Sequence, residues 1–132
     1  MSKASWQEHI EFVKSKGILA KKLYVIFTWP VNTENLEAVE AALPEHLAYQ
    51  KRLEEEGITF AAGPFADDAE QSWSGEGMII VRAASVEAAH AIAAQDPMHV
   101  RGARQFRVRP WSLNEGSITV SIRCSSGWRE VL

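Results

Sequence analysis

The run Leu23-Tyr24-Val25-Ile26-Phe27-Thr28-Trp29, closed by Pro30, constrains the fold more than any other stretch of the chain. Its β-branched and aromatic residues favour a strand, and successive side chains of a strand point to opposite faces. Leu23, Val25, Phe27 and Trp29 therefore share one face, and Tyr24 and Ile26 share the other. Both faces are apolar. Such a strand is buried on two sides and belongs in the middle of a sheet. Met78–Val81 reads the same way, so the rest of the chain must supply a covering for each face.

The stretch PEHLAYQKRLEEEGITFAAGPF, Pro44–Phe65, follows. Thr33 is placed to cap a helix whose buried side is Leu36, Val39 and Leu43. Pro44 then restarts or kinks that helix, which continues to Glu56 and stops at Gly57. On this second part His46, Tyr49, Gln50 and Leu53 fall three and four apart, hence on one face. Ile58–Ala62 reads as a strand ended by Gly63-Pro64. Residues 66–77 form a polar loop with Trp73 in its middle. Ser85 can cap a further helix, with Val86, Ala89 and Ala93 inward and Ile92 beside them. Gln95-Asp96-Pro97 ends it, because a residue before proline is pushed out of helical dihedrals. Gln105–Trp111 alternates cleanly, with Phe106 and Val108 on one face and Gln105, Arg107, Arg109 and Trp111 on the other.

From Lys22 to Trp111 the order is βαββαβ, the split βαβ pattern of an α+β, ferredoxin-like fold with an antiparallel sheet. Both helices then lie on one face. The other face needs a partner, and a homodimer packed sheet against sheet is the simplest one.

The ends of the chain are additions to this core. Ser5 and Glu8 make a capping box for a helix carrying Trp6, Ile10 and Val13 and ending at Gly17. That gives a helical extension over 1–20. After Asn114-Glu115-Gly116, Ser117–Arg123 alternates as a fifth, edge strand, and the tail SSGWREVL can dock through Trp128 and Val131. The 132 residues form one domain with its core at 22–112, flanked by 1–20 and 113–132. A net charge of -3 offers no basic field for nucleic acid, and the first and third strands carry no ribonucleoprotein-type aromatic motif. Cys124 is the sole cysteine, which excludes an intrachain disulfide and points to a reducing, cytoplasmic setting. The N-terminus is too polar for a signal peptide, and no apolar run reaches membrane-spanning length.

Of the possible sites, His46 with Asp96 ranks first. An imidazole exchanges protons near neutrality, and a carboxylate on its other nitrogen fixes the tautomer and stabilises the imidazolium. From the residues alone the plainer reading stands ahead: a half-exposed helix histidine, and an aspartate that caps the chain before Pro97. His90, Asp96 and His99 lie close in sequence, but their spacing fits no established zinc or iron pattern, so no metal is expected. His90 reads as a boundary residue, His9 as surface and Cys124 as structural. Among the arginines, Arg107 is the choice for an anion anchor because it lies in mid-strand. Gly63, Pro64 and Phe65 would shape a pocket rim, and Trp73 would cover either that pocket or the protein's own surface.

The strings LYVIFTW, PEHLAYQKRLEEEGITFAAGPF, GEGMIIVRAASVEAAHAIAAQDPM and RQFRVRPW together span Leu23–Trp111. In that order and spacing the chain resembles the YCII-related domain proteins, small members of the dimeric α/β-barrel group. The resemblance implies a ferredoxin-like fold, a homodimer and a histidine–aspartate active site, with His46 and Asp96 in the two motif positions. Proteins similar to this family include one that removes chloride from a chlorinated hydroxyquinone. The related muconolactone isomerases move protons on lactones. The expectation is a cofactor-independent acid–base enzyme on a small aromatic or lactone-like organic acid. The alternative from another class is a non-catalytic dimeric module that binds a small metabolite in the same pocket.

Overall fold

The computed structural model describes residues 4–132. The chain divides into two compact units, Lys22–Trp111 and a unit formed by the two terminal segments.

The larger unit is a ferredoxin-like α+β layer structure. Its elements are β1 (Lys21–Pro30), α2 (Glu37–Glu55), β2 (Thr59–Pro64), β3 (Gly77–Val81), α3 (Val86–Ala94), α4 (Pro97–Val100) and β4 (Arg104–Leu113). The sheet order is β2-β3-β1-β4, which puts both two-faced apolar strands in the centre, as their composition requires. β3 pairs antiparallel with β1, Val25 opposite Ile80 and Ile26 opposite Ile79, and antiparallel with β2. The sheet stays open, with β2 and β4 as its edges. Ile26, Ile79 and Val81 form the inner face, where Ala89 and Ala93 of α3 let the helix approach closely. Phe106 and Val108 of β4 complete this cluster, on the face their alternation indicates. On the other face Leu23, Val25 and Ile80 are buried, and Phe27 and Trp29 are half-buried.

Several local expectations need correction. Thr33 caps nothing: the Asn32 side chain accepts from the Glu34 and Asn35 amides, and α2 begins only at Glu37. Pro44 does not restart the helix but sits inside it. Pro44 and Glu40 both lie on the exposed side, where water can reach the carbonyl that loses its helical donor. Leu43 is 42% exposed rather than buried. Gly57, at φ 73°, ends α2 in a Schellman turn, with Ile58 N–H donating to Leu53 C=O at 2.8 Å. Gly63 and Pro64 belong to β2, pairing with Met78 and Gly77, so they continue the strand instead of stopping it. Val86 is exposed at 37%, leaving Ala89 and Ala93 as the buried stripe of α3.

In the smaller unit α1 (Trp6–Ser15) carries the full capping box: Ser5 Oγ accepts from Glu8 N–H, and Glu8 accepts from Ser5 N–H. Ile10 and Val13 pack with Ala20. The expected fifth strand does not join the main sheet. β5 (Val120–Arg123) instead pairs with β6 (Trp128–Val131) in a separate two-stranded ribbon, and Trp128 and Val131 are exposed rather than docked. Among the described residues no helix is long and apolar enough to cross a membrane.

Candidate active site

The buried stripe of α2 runs through Val39 and Ala42 to Leu53, at helical spacing. His46, Tyr49 and Gln50 continue it, so three polar side chains face the interior where apolar ones would ordinarily stand. Each finds a partner at the end of α3. Tyr49 donates to the Ile92 carbonyl at 2.6 Å. Burial raises the Tyr49 pKa, and the Asp96 charge raises it further.

His46 and Gln50 converge on Asp96. Pro97 holds Asp96 in an extended conformation, φ -61° and ψ 129°, which ends α3 and makes Asp96 the N-cap of α4. Its carboxylate is 1% exposed and accepts from the Met98 amide at 2.9 Å and from Gln50 Nε2 at 3.0 Å. His46 Nδ1 lies 2.9 and 2.8 Å from the two carboxylate oxygens. Burial pushes the Asp96 carboxyl up, but the bonds from His46, Met98 and Gln50 outweigh it and hold the pKa below the usual value. An ionised carboxylate only accepts, so Nδ1 carries the proton and the unprotonated nitrogen of a neutral ring is Nε2. Nε2 has no partner among the described residues, and the 22% exposed ring forms part of a pocket wall.

That pocket encloses about 270 Å³. Val39, Leu43, Met78, Ile79 and Met98 make it largely apolar, and Trp73 stands at its edge, half exposed, with its indole N–H on the Glu76 carbonyl at 3.3 Å. Gly63 and Pro64 line it from β2. Phe65 does not: it borders a second depression with Ala61 and Ile80, which face away from the helices. Arg107 is exposed on the sheet face opposite Phe106 and is not among the pocket residues. Arg104, 9% exposed, stands in the pocket in its place.

Arg104 belongs to a second hydrogen-bond chain that sequence reasoning missed. Its Nε donates to Thr28 Oγ1 at 2.8 Å, and its Nη2 donates to the Gly75 carbonyl. Thr28 lies 2.9 Å from His99 Nε2, and His99 Nδ1 lies 2.6 Å from the Ala93 carbonyl. Ala93 can only accept, so Nδ1 donates to it. Burial lowers the His99 pKa and keeps the ring neutral, so Nε2 accepts the Thr28 proton. The direction of every bond from Arg104 to Ala93 is thereby set. Gly75 has φ +93°, and a Cβ there would lie 2.8 Å from Pro30 Cγ, so glycine fits this close approach. Two signals for this chain were in the sequence. Thr28 puts a short polar side chain on the inward face of an apolar strand, and Arg104 shares the parity of Phe106 and Val108.

The fold is that of a solved enzyme structure. The 5-chloro-2-hydroxyhydroquinone dehydrochlorinase (TftG) from Burkholderia phenoliruptrix AC1100, in complex with 2,5-dihydroxybenzoquinone, superposes with a TM-score of 0.57 and 20% identity. The match covers 67% of this chain and 92% of that one. No curated protein sequence matches. The YCII-related domain pattern matches residues 23–112, nearly all of the βαββαβ unit and more than half of the chain. The chain therefore belongs to the YCII-related domain family.

Proposed function

We propose that this protein is a cofactor-independent acid–base enzyme, with His46 as the proton-transfer group and Asp96 as its orienting partner. The observation that carries the reading is the unpartnered Nε2 of His46 on the pocket wall, with Nδ1 held by a buried carboxylate. A neutral imidazole so placed takes a proton from a bound molecule, and Asp96 stabilises the imidazolium that results. Return of that proton to another atom completes an isomerisation. Loss of a leaving group with the electron pair completes an elimination, and activation of a water would give hydrolysis. The preferred class is elimination or isomerisation on a small aromatic or lactone-like organic acid. The mostly apolar walls and modest volume suit one ring, and the similar dehydrochlorinase was solved with 2,5-dihydroxybenzoquinone, a single six-membered ring.

The working form in this proposal is a cytoplasmic homodimer packed through the sheet face away from the helices. Phe27 and Trp29 are half-buried on that face and would contribute to the contact. Sedimentation should give twice the chain mass of 14.7 kDa, and a monomer at micromolar concentration would remove the dimer.

The enzyme reading is tested by incubating the protein in D₂O, without added cofactor, with chlorinated and plain hydroquinones and small lactones. Proton NMR should show deuterium entering a substrate carbon, or chloride release or isomerisation, for at least one compound. Compounds that bind but never exchange or convert would make the pocket a binding site only.

A further inference from the structure

We infer that Arg104 is the anion anchor of this pocket, so that the molecule whose proton His46 moves carries a carboxylate, phenolate or enolate oxygen gripped by that guanidinium. The inference rests on the acid–base reading above and adds what the ligand must present.

Arg104 carries an unbalanced charge. A buried guanidinium ordinarily has a carboxylate beside it, because desolvating an unpaired cation is costly. Arg104 is 9% exposed, yet among the described residues it makes no ion pair. Asp96 is the carboxylate whose charge it feels, but His46, Gln50 and the Met98 amide occupy that group. Glu76 also borders the pocket, but it is exposed and forms no ion pair with Arg104. Arg101 provides the contrast, pairing with Glu45 on the surface of α2.

Arg104 is also held in place rather than left to reach for water. Thr28 takes its Nε–H and the Gly75 carbonyl takes one Nη2–H. The Thr28 oxygen is kept in that accepting role because its own proton goes to His99. Of the five guanidinium N–H groups, three keep no partner among the described residues, both of those on Nη1 included. The side chain lines the pocket that His46 also lines. A fixed, desolvated guanidinium with spare donors is suited to an oxyanion, which accepts two parallel N–H bonds from it. Thr28 is then a positioning residue.

The test uses benzoate and its neutral isostere benzamide as probes, titrated calorimetrically into the full chain at low ionic strength. Benzoate should bind at least about tenfold more tightly than benzamide, the scale of one hydrogen bond to a charged group. Arg104→Gln should abolish that preference, while Arg109→Gln, which removes the same charge from the exposed face, should keep it. His46→Ala should keep it too, so loss of turnover in His46→Ala separates the proton-transfer reading from the anchor. In the unaltered protein, benzoate should shift the Arg104 guanidinium ¹⁵N–¹H signals and benzamide should not, which needs no variant to fold. No preference for benzoate, absence of binding by either probe, unmoved Arg104 signals, or a full preference in folded Arg104→Gln would each overturn the inference.

Discussion

His46→Ala is expected to lower turnover of any compound converted in the cofactor-free screen by about 10²–10⁴-fold, the usual contribution of a positioned general base. The loss should fall on kcat more than on KM, because Nε2 contributes to the moving proton rather than to the apolar walls that hold the ring. His46→Ala also leaves the buried Asp96 carboxylate without its closest donor, so its melting temperature has to be measured beside its activity. His46→Gln separates the two effects. Its amide can still donate toward Asp96 but cannot take a substrate proton at neutral pH. Both variants should be equally inactive, with His46→Gln the more stable. A folded His46→Gln protein with near wild-type kcat would remove His46 from the chemistry.

Asp96 variants should fail in both stability and rate. The carboxylate accepts from His46, Gln50 and the Met98 amide while capping α4. Asp96→Ala strands all of these donors, and breaking a buried pair of this kind costs about 3–5 kcal/mol. Urea unfolding should show that loss as an earlier midpoint. Asp96→Asn keeps the shape but turns one acceptor into a donor facing other donors. In its least strained arrangement the ring moves its proton to Nε2, which removes the base. In the serine-protease triad the corresponding change of tautomer costs about 10⁴-fold in kcat, and a fall approaching that is expected here. The pH dependence of stability follows from the same group. The folded pKa of Asp96 lies below its unfolded value, so the folded state gains from ionised Asp96 at all pH values above the unfolded pKa of about 3.9. That gain disappears as pH falls through the folded pKa. Acid unfolding should therefore begin below about pH 4 in the wild type, and Asp96→Asn should flatten that part of the curve.

The larger elements could be read from the sequence because they rest on local chemistry. Two apolar strand faces forced β1 and β3 into the centre of the sheet, and Ser5 with Glu8 marked the start of α1. The three- and four-residue spacings put His46, Tyr49 and Gln50 on one helix face, where they all reach the end of α3. Other features depended on tertiary context. Pro44 carries a helix-start signal, but packing of Val39, Ala42 and Leu53 lets α2 continue past it. α4 is four residues long, too short for any periodicity to register. β5 found a partner in β6, whose residues looked like a tail because a short exposed ribbon lacks a buried face to pattern it. The pocket arginine was misplaced for a different reason. Central position in the strand favoured Arg107, whereas parity with Phe106 and Val108 puts Arg104 on the helix-covered face. Alternation was the better guide.

The central physical claim is that Asp96 holds the His46 proton on Nδ1 and leaves Nε2 bare toward the pocket. Long-range ¹H–¹⁵N correlation of the neutral His46 ring reads this directly and needs no substrate. The expected spectrum has Nδ1 protonated and Nε2 with the shift of an unprotonated ring nitrogen, and in folded Asp96→Asn the two exchange. A wild-type ring protonated on Nε2 would contradict the account, as would a tautomer that Asp96→Asn leaves unchanged.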